Sequence, residues 1–144
     1  MKLERKKQLF AGYIHYWLVK LKLHKKYIVT VGVDRRINCR AITTQLDGKH
    51  YTINFNPKNL CSENMILHVC LHELNHLLHT WKGRAEDHEY FAEYNALKMA
   101  KEHYPKQYRR MVNRTIKEIK GGISSKIHIV GYLQALKQLG EWKD

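Results

Sequence analysis

The segment 72–76 combines the residue types and the spacing of a metal site. His72 and His76 are four positions apart, so on an α-helix both imidazoles lie on one face, with Glu73 beside them. Imidazole is a common zinc ligand, and a catalytic zinc keeps three protein ligands and one position for water. A neighbouring carboxylate then acts as general base in hydrolysis. We therefore expect His72 and His76 to bind one Zn2+ per chain, and Glu73 to be the general base of peptide-bond hydrolysis.

The residues around this pattern favour a metal site over a chance match to a five-residue pattern. The preceding run Ile66–Leu71 is strongly apolar, and burying two imidazoles and a carboxylate there would cost free energy without a metal or other partners. We interpret the nearby His68 and His79 as partly buried neutral side chains. The alternative for His79 is stabilisation of substrate charge, a role also open to Tyr90 and Tyr94.

The third ligand is expected on a helix that returns past the motif after a short turn around Gly83. Small or apolar residues define one face of that helix: Ala85, Ala92, Ala96, Met99 and Ala100. Glu89 points nearest the centre of this face, while Glu93 and His88 lie on its two shoulders. Glu89 is therefore the first choice, and Glu93 and His88 are the alternatives. If Glu89 binds the metal, Glu93 is placed one turn later to hydrogen-bond a ligand imidazole.

The elements that precede the motif are indicated by periodicity and by turn signals. Apolar residues at spacings of three and four predict a helix from about Glu4 to Leu23. Segments with β-branched or alternating apolar residues predict three strands, Tyr27–Val33, Ala41–Leu46 and Tyr51–Phe55, and Asp47-Gly48 is a hairpin signal. The expected fold is α+β with a three-stranded, mainly antiparallel sheet.

Two helices are expected to carry the metal ligands. The motif helix is predicted from about Glu63 to Trp81, with Ser62 as N-cap and Gly83 just past its end as a C-cap glycine. The third-ligand helix is predicted from about Ala85 to His103, because Pro105 follows two residues later.

The rest of the chain predicts a basic helical extension, 106–144. Its first helix reaches about Lys120, the Gly121-Gly122 pair breaks it, and a last helix is capped by Ser124 or Ser125. A length of 144 residues fits a single domain, here 1–144.

The composition restricts the classes of partner and the cellular location that we expect. Lys and Arg number 26 against 13 Asp and Glu, a formal net charge of +13 that attracts polyanions such as nucleic acid. The three cysteines form no CxxC pair, and we see neither a signal peptide nor an apolar run long enough to cross a membrane. We expect a cytoplasmic protein with a protein or peptide substrate, nucleic acid as a further partner, and no membrane association.

The motif and its flanks resemble the zincin superfamily of metallopeptidases over roughly Tyr27 to His103. The run Ile53–Pro57 followed by His72–His79 is similar to the small cytosolic ImmA/IrrE group. The segment Glu89–Ala96 is similar to the third-ligand helix of glutamate-type zincins. This resemblance implies Glu89 as ligand and cleavage of a specific intracellular protein, such as a transcriptional repressor.

A second resemblance is to SprT-like proteases, which have a histidine ligand after the motif. Here Gly83–His88 is similar to that run, but Glu89 stands where those proteases have glycine, and Phe91 comes one residue early. The likeness implies His88 as ligand and an association with DNA. A function of another class, a DNA-binding or protein-binding module with a structural or vestigial zinc site, is the alternative to the peptidase.

Overall fold

The computed structural model describes residues 1–79, 83–122 and 124–143. Over these residues the fold is α+β, as predicted, with one helix before the three strands in the chain and the other helices after them. The elements are α1 (Leu3–Lys20), β1 (Ile28–Val33), β2 (Ala41–Gln45), β3 (His50–Phe55), a 3-10 turn (Pro57–Asn59), α2 (Glu63–Leu78), α3 (Ala85–His103), α4 (Pro105–Gly121) and α5 (Lys126–Gln138). The chain forms two compact units, residues 1–73 and 74–144, and the boundary falls inside α2.

The sheet is mixed, which differs from the mainly antiparallel sheet that the sequence predicted. Its strand order is β1-β3-β2. The predicted hairpin makes β2 and β3 antiparallel, whereas β1 runs parallel to β3 on its other edge, from Ile28 opposite His50 to Val33 opposite Phe55. Every second residue of β3 is buried, which suits the central position because that strand packs its inward face against the core.

The hairpin turn is held by the carboxylate of Asp47. Its Oδ1 accepts hydrogen bonds from the backbone N–H groups of Lys49, at 2.8 Å, and His50, at 2.9 Å. The His50 Nδ1 lies 2.7 Å from the same carboxylate. The Lys49 N–H, followed by the His50 side chain, lowers the pKa of Asp47 because these groups favour the ionised form.

In the first unit, α1 and the first part of α2 supply the apolar core beside the sheet. Phe10 of α1 stacks on Phe55 of β3, with ring centroids 4.5 Å apart. Cys70 of α2 is buried and its Sγ lies 3.5 Å from the Phe10 carbonyl. Tyr13 donates a hydrogen bond to Glu63, at 3.0 Å, at the start of α2. These contacts hold the part of α2 that leads to His72 and Glu73.

In the second unit, α3 packs against both α4 and α5. The small-residue face predicted for α3 is largely buried, with Ala92, Ala96 and Ala100 at its centre. Asn75, in the last turns of α2, lies 3.3 Å from the Met99 sulfur of α3. The bounds of α3 agree with the prediction at both ends.

The ends of the helices show which local sequence signals predicted them correctly. Ser125 caps α5 by accepting a hydrogen bond from the His128 backbone N–H, which decides between the two predicted serines. Gly122 ends α4 with φ +59°, a left-handed conformation that suits glycine. The motif helix ends at Leu78, and its predicted end at Trp81 lies outside the described residues. Within the described part of the chain, no helix has the length and apolar character needed to cross a membrane.

Candidate metal centre

Three side chains of α2 form a cluster with the composition of a metal site. One ligand atom from each of His72, Glu73 and His76 lies within 4.8 Å of the others, and among the described residues this is the group of histidine, cysteine and carboxylate side chains that meets that distance. His72 and Glu73 are 9% and 6% exposed. Because all three residues belong to one helix, the helical repeat itself brings them together. The arrangement predicted from their spacing is thus present.

Thr43, a residue that sequence reasoning missed, holds the Glu73 carboxylate. Its hydroxyl donates to Glu73 Oε2 at 2.5 Å and also lies 3.3 Å from the Glu73 backbone carbonyl. Thr43 belongs to β2, where it shares the less exposed face with Ala41 while Ile42 and Thr44 are exposed. Alternation along β2 was the signal that could have marked Thr43 as inward-facing.

Glu89 is the predicted third ligand that contacts His76. Its Oε1 lies 3.2 Å from His76 Nε2, and the two side chains are 13% and 20% exposed. Two ligands of a tetrahedral zinc with bonds of about 2.0–2.1 Å are separated by roughly 3.3 Å, so this spacing suits a shared metal. Glu89 is not part of the three-residue cluster on α2, and it is connected to that cluster by its contact with His76.

The two alternative ligands lie in other surroundings. Glu93 is 2% exposed, and its Oε2 accepts a hydrogen bond from Thr115 of α4 at 2.9 Å. That contact joins α3 to α4 in the interior of the second unit. His88 is partly exposed near the start of α3. Neither Glu93 nor His88 belongs to the metal-type cluster found among the described residues.

The two flanking histidines of the motif agree with their interpretation as buried or partly buried side chains. His68 is 5% exposed. His79 Nε2 lies 3.4 Å from the Asn95 side-chain nitrogen, and its ring centroid lies 5.8 Å from that of Phe91. Burial, and secondarily the charge of His76, lowers the pKa of His79. His79 is therefore neutral at pH 7.

The tyrosines suggested as oxyanion donors stack on one another along α3. The rings of Tyr90 and Tyr94 have centroids 5.7 Å apart. Burial, followed by the neighbouring Tyr94, raises the pKa of Tyr90, so its hydroxyl stays protonated at neutral pH. Tyr90 is thus a neutral hydrogen-bond donor.

A second residue that sequence reasoning missed is His128 of α5. Its Nε2 lies 3.4 Å from Glu89 Oε1, the same oxygen that approaches His76. No local pattern links residue 128 to residue 89, because the contact depends on how α5 packs on α3. The presence of Ser125 three residues before His128 was the one available signal, since it placed His128 in the first turn of a helix.

The donor atoms of His72, Glu73 and His76 are close enough to one another that the group could hold a metal ion. Comparisons with known proteins add nothing to this, since no protein-family model, curated protein or solved structure matches the chain. The likeness to zincins therefore rests on the motif and its flanking residues.

Proposed function

We propose that this chain is a zinc-dependent endopeptidase in which His72, His76 and Glu89 hold one Zn2+ and Glu73 is the general base. The observation that carries the proposal is the cluster of His72, Glu73 and His76 on α2. The contact of Glu89 with His76 supplies a carboxylate at ligand-like spacing.

The donor set fits zinc in its chemistry. Two imidazoles and one carboxylate are a ligand set of catalytic zinc sites, and three protein ligands leave a position for water. When bound, zinc polarises a carbonyl and lowers the pKa of that water toward neutrality.

Glu73 is suited to accept a proton because its carboxylate is both buried and oriented. The Thr43 hydroxyl donates to Oε2, which fixes the plane of the carboxylate relative to α2. A base held in one position within hydrogen-bond reach transfers protons more efficiently than a mobile one. In this function Glu73 takes the proton of the attacking water and returns it to the leaving amine.

The substrate class is a protein or peptide, and the likeness to the ImmA/IrrE group suggests a specific protein such as a repressor. The net charge of +13 favours partners with anionic surfaces and is compatible with association with nucleic acid. The binding module with a structural zinc site is the competing function, supported by the same charge.

The test combines metal content with a search for cleavage. Purified wild-type protein is expected to contain one zinc per chain by mass spectrometry of the metal. Incubated with a peptide library made from a digested proteome, it should generate new N-termini. Glu73→Gln should keep the zinc and generate none, whereas the control Glu102→Gln, at an exposed position of α3, should behave as wild type.

Two results would contradict the peptidase. If the wild-type protein bound no zinc, the proposed metal site would be refuted. If Glu73→Gln produced the same new termini as the wild type, Glu73 would not be the base. Stoichiometric zinc with no cleavage, together with salt-dependent DNA binding that Glu73→Gln leaves unchanged, would instead support the binding module.

A further inference from the structure

His128 approaches Glu89 from α5 at a carboxylate that is largely withdrawn from water. The Glu89 side chain is 13% exposed, and its Oε1 lies 3.4 Å from His128 Nε2. A buried carboxylate needs donors or cations around it, because its loss of hydration is costly. His128 is positioned to supply one of these interactions, in addition to that of His76.

Ser125 holds the His128 ring from its Nδ1 side. Its Oγ accepts a hydrogen bond from the His128 backbone N–H, at 3.4 Å, and lies 2.5 Å from His128 Nδ1. A hydroxyl has one hydrogen to donate, and here its oxygen already accepts from the backbone. An ionised carboxylate such as Glu89 can only accept, so the Nε2 that faces it must carry a proton to donate, and the Ser125 hydroxyl can donate its hydrogen to an unprotonated Nδ1.

Gly131 explains why α5 can bring His128 so close to α3. A Cβ at this position would lie 2.8 Å from the Glu86 carbonyl oxygen, 2.8 Å from the Tyr90 backbone nitrogen and 2.9 Å from Glu89 Cβ. Contacts this short to backbone atoms would move the helices apart. Because residues three apart share a face of a helix, the glycine that allows the close approach lies on the same side as His128.

We propose that His128 is a positioning residue of the zinc site, which holds the Glu89 carboxylate in place for the metal through an Nε2–H donor, while Ser125 holds the other side of the ring. This inference rests on the proposed function, since it takes Glu89 as a ligand. Partners of this kind orient metal ligands, and their loss costs about 10- to 100-fold in metal affinity. In this proposal His128 acts through Glu89, with which its Nε2 is in contact.

The main test measures zinc affinity by competition with a coloured chelator. His128→Ala is expected to weaken zinc binding about 10- to 100-fold. His128→Gln, whose amide keeps a donor, should recover most of this loss. The matched control His24→Ala removes an exposed histidine of the first unit and should leave the affinity unchanged.

Two further measurements separate positioning from general structure. In the metal-free protein, long-range proton–nitrogen NMR should show the His128 proton on Nε2. In cobalt-substituted protein, the visible spectrum of His128→Gln should match that of the wild type, because the ligands are the same.

The outcomes are distinct. Equal zinc affinity for His128→Ala and His24→Ala would overturn the inference while leaving the peptidase intact. An Nε2 without a proton would also overturn it, as would an altered cobalt spectrum in His128→Gln, which would make His128 a ligand. Failure of the wild-type protein to bind zinc would defeat the proposed function itself.

Discussion

At the scale of single residues, the candidate site depends on short contacts that hold carboxylates still. Glu73 and Glu89 have the same side chain but different neighbours. Glu73 accepts a hydrogen bond from a hydroxyl of β2, whereas Glu89 lies against two imidazoles. A carboxylate bonded to a neutral hydroxyl keeps its capacity to take a proton. One beside imidazoles is suited to share a cation with them. Their different neighbours thus give the two acids different roles in the proposed site.

Thr43→Val should lower the rate of peptide cleavage about tenfold while leaving zinc bound. Valine keeps the shape of threonine but cannot donate to Glu73, and a hydrogen bond to a charged group contributes about 1.5–3 kcal/mol. The rate is measured on a peptide identified in the library, and zinc by metal analysis. Thr44→Val, the exposed neighbour on β2, is the control, and an equal loss in both variants would refute the role of Thr43.

Glu89→Gln should weaken zinc binding by more than about 100-fold, the upper range for residues that only support a ligand. Glu93→Gln should keep zinc affinity within a few-fold and instead lower the free energy of unfolding by about 1 kcal/mol, because it perturbs a buried hydrogen bond to Thr115. Chelator competition and urea unfolding measure the two effects. The reverse pattern would make Glu93 the ligand.

At the scale of elements, the hairpin and the packing of α5 on α3 are the features that place Thr43 and His128. The hairpin signal Asp47-Gly48 predicted the antiparallel pairing of β2 with β3 correctly. The close approach of α5 was not predictable, because a glycine inside a helix marks a contact only once its neighbour is known. Local turn chemistry is readable in sequence, whereas helix packing is not.

Asp47→Asn should lower the melting temperature of metal-free protein at pH 7 but not near pH 2. The pKa of Asp47 is lowered in the folded state, so its stabilising effect is present above its unfolded pKa and is lost as the pH falls through the folded value. Thermal unfolding at both pH values checks this. Glu4→Gln, on the exposed start of α1, is the control, and a pH-independent difference for Asp47→Asn would contradict the assignment.

Two glycine-to-alanine changes should have opposite effects on the free energy of unfolding. Gly131→Ala should destabilise the protein by about 1–3 kcal/mol, because its Cβ would meet the backbone of α3. Gly12→Ala should stabilise it by about 0.5–1 kcal/mol, because Gly12 lies inside α1 and a methyl group added there would meet no atom within 4 Å beyond the adjacent backbone of its own helix. Urea unfolding of the metal-free proteins measures both. Similar effects at the two positions would argue against the close α3–α5 contact.

At the scale of the whole molecule, a bound metal should increase the free energy of unfolding. A ligand that binds only the folded state at 100 times its dissociation constant adds about 2.7 kcal/mol to the free energy of unfolding. Adding zinc to chelator-treated protein should therefore raise the melting temperature. Glu73→Gln should keep this increase and Glu89→Gln should lose it. An unchanged melting temperature in the wild type would count against a metal site.

The sequence by itself determined the features that depend on neighbours along the chain. The cluster of His72, Glu73 and His76 follows from one helical repeat, and the bounds of α3 follow from local signals, which also limited the cap of α5 to Ser124 or Ser125. Only the tertiary structure decided the central position of β3, since each edge of a strand can accept a partner of either direction. It also decided that Glu89 contacts His76, that Thr43 holds Glu73 and that His128 reaches Glu89. Those contacts join residues far apart in the chain, and their geometry depends on packing that no local pattern encodes.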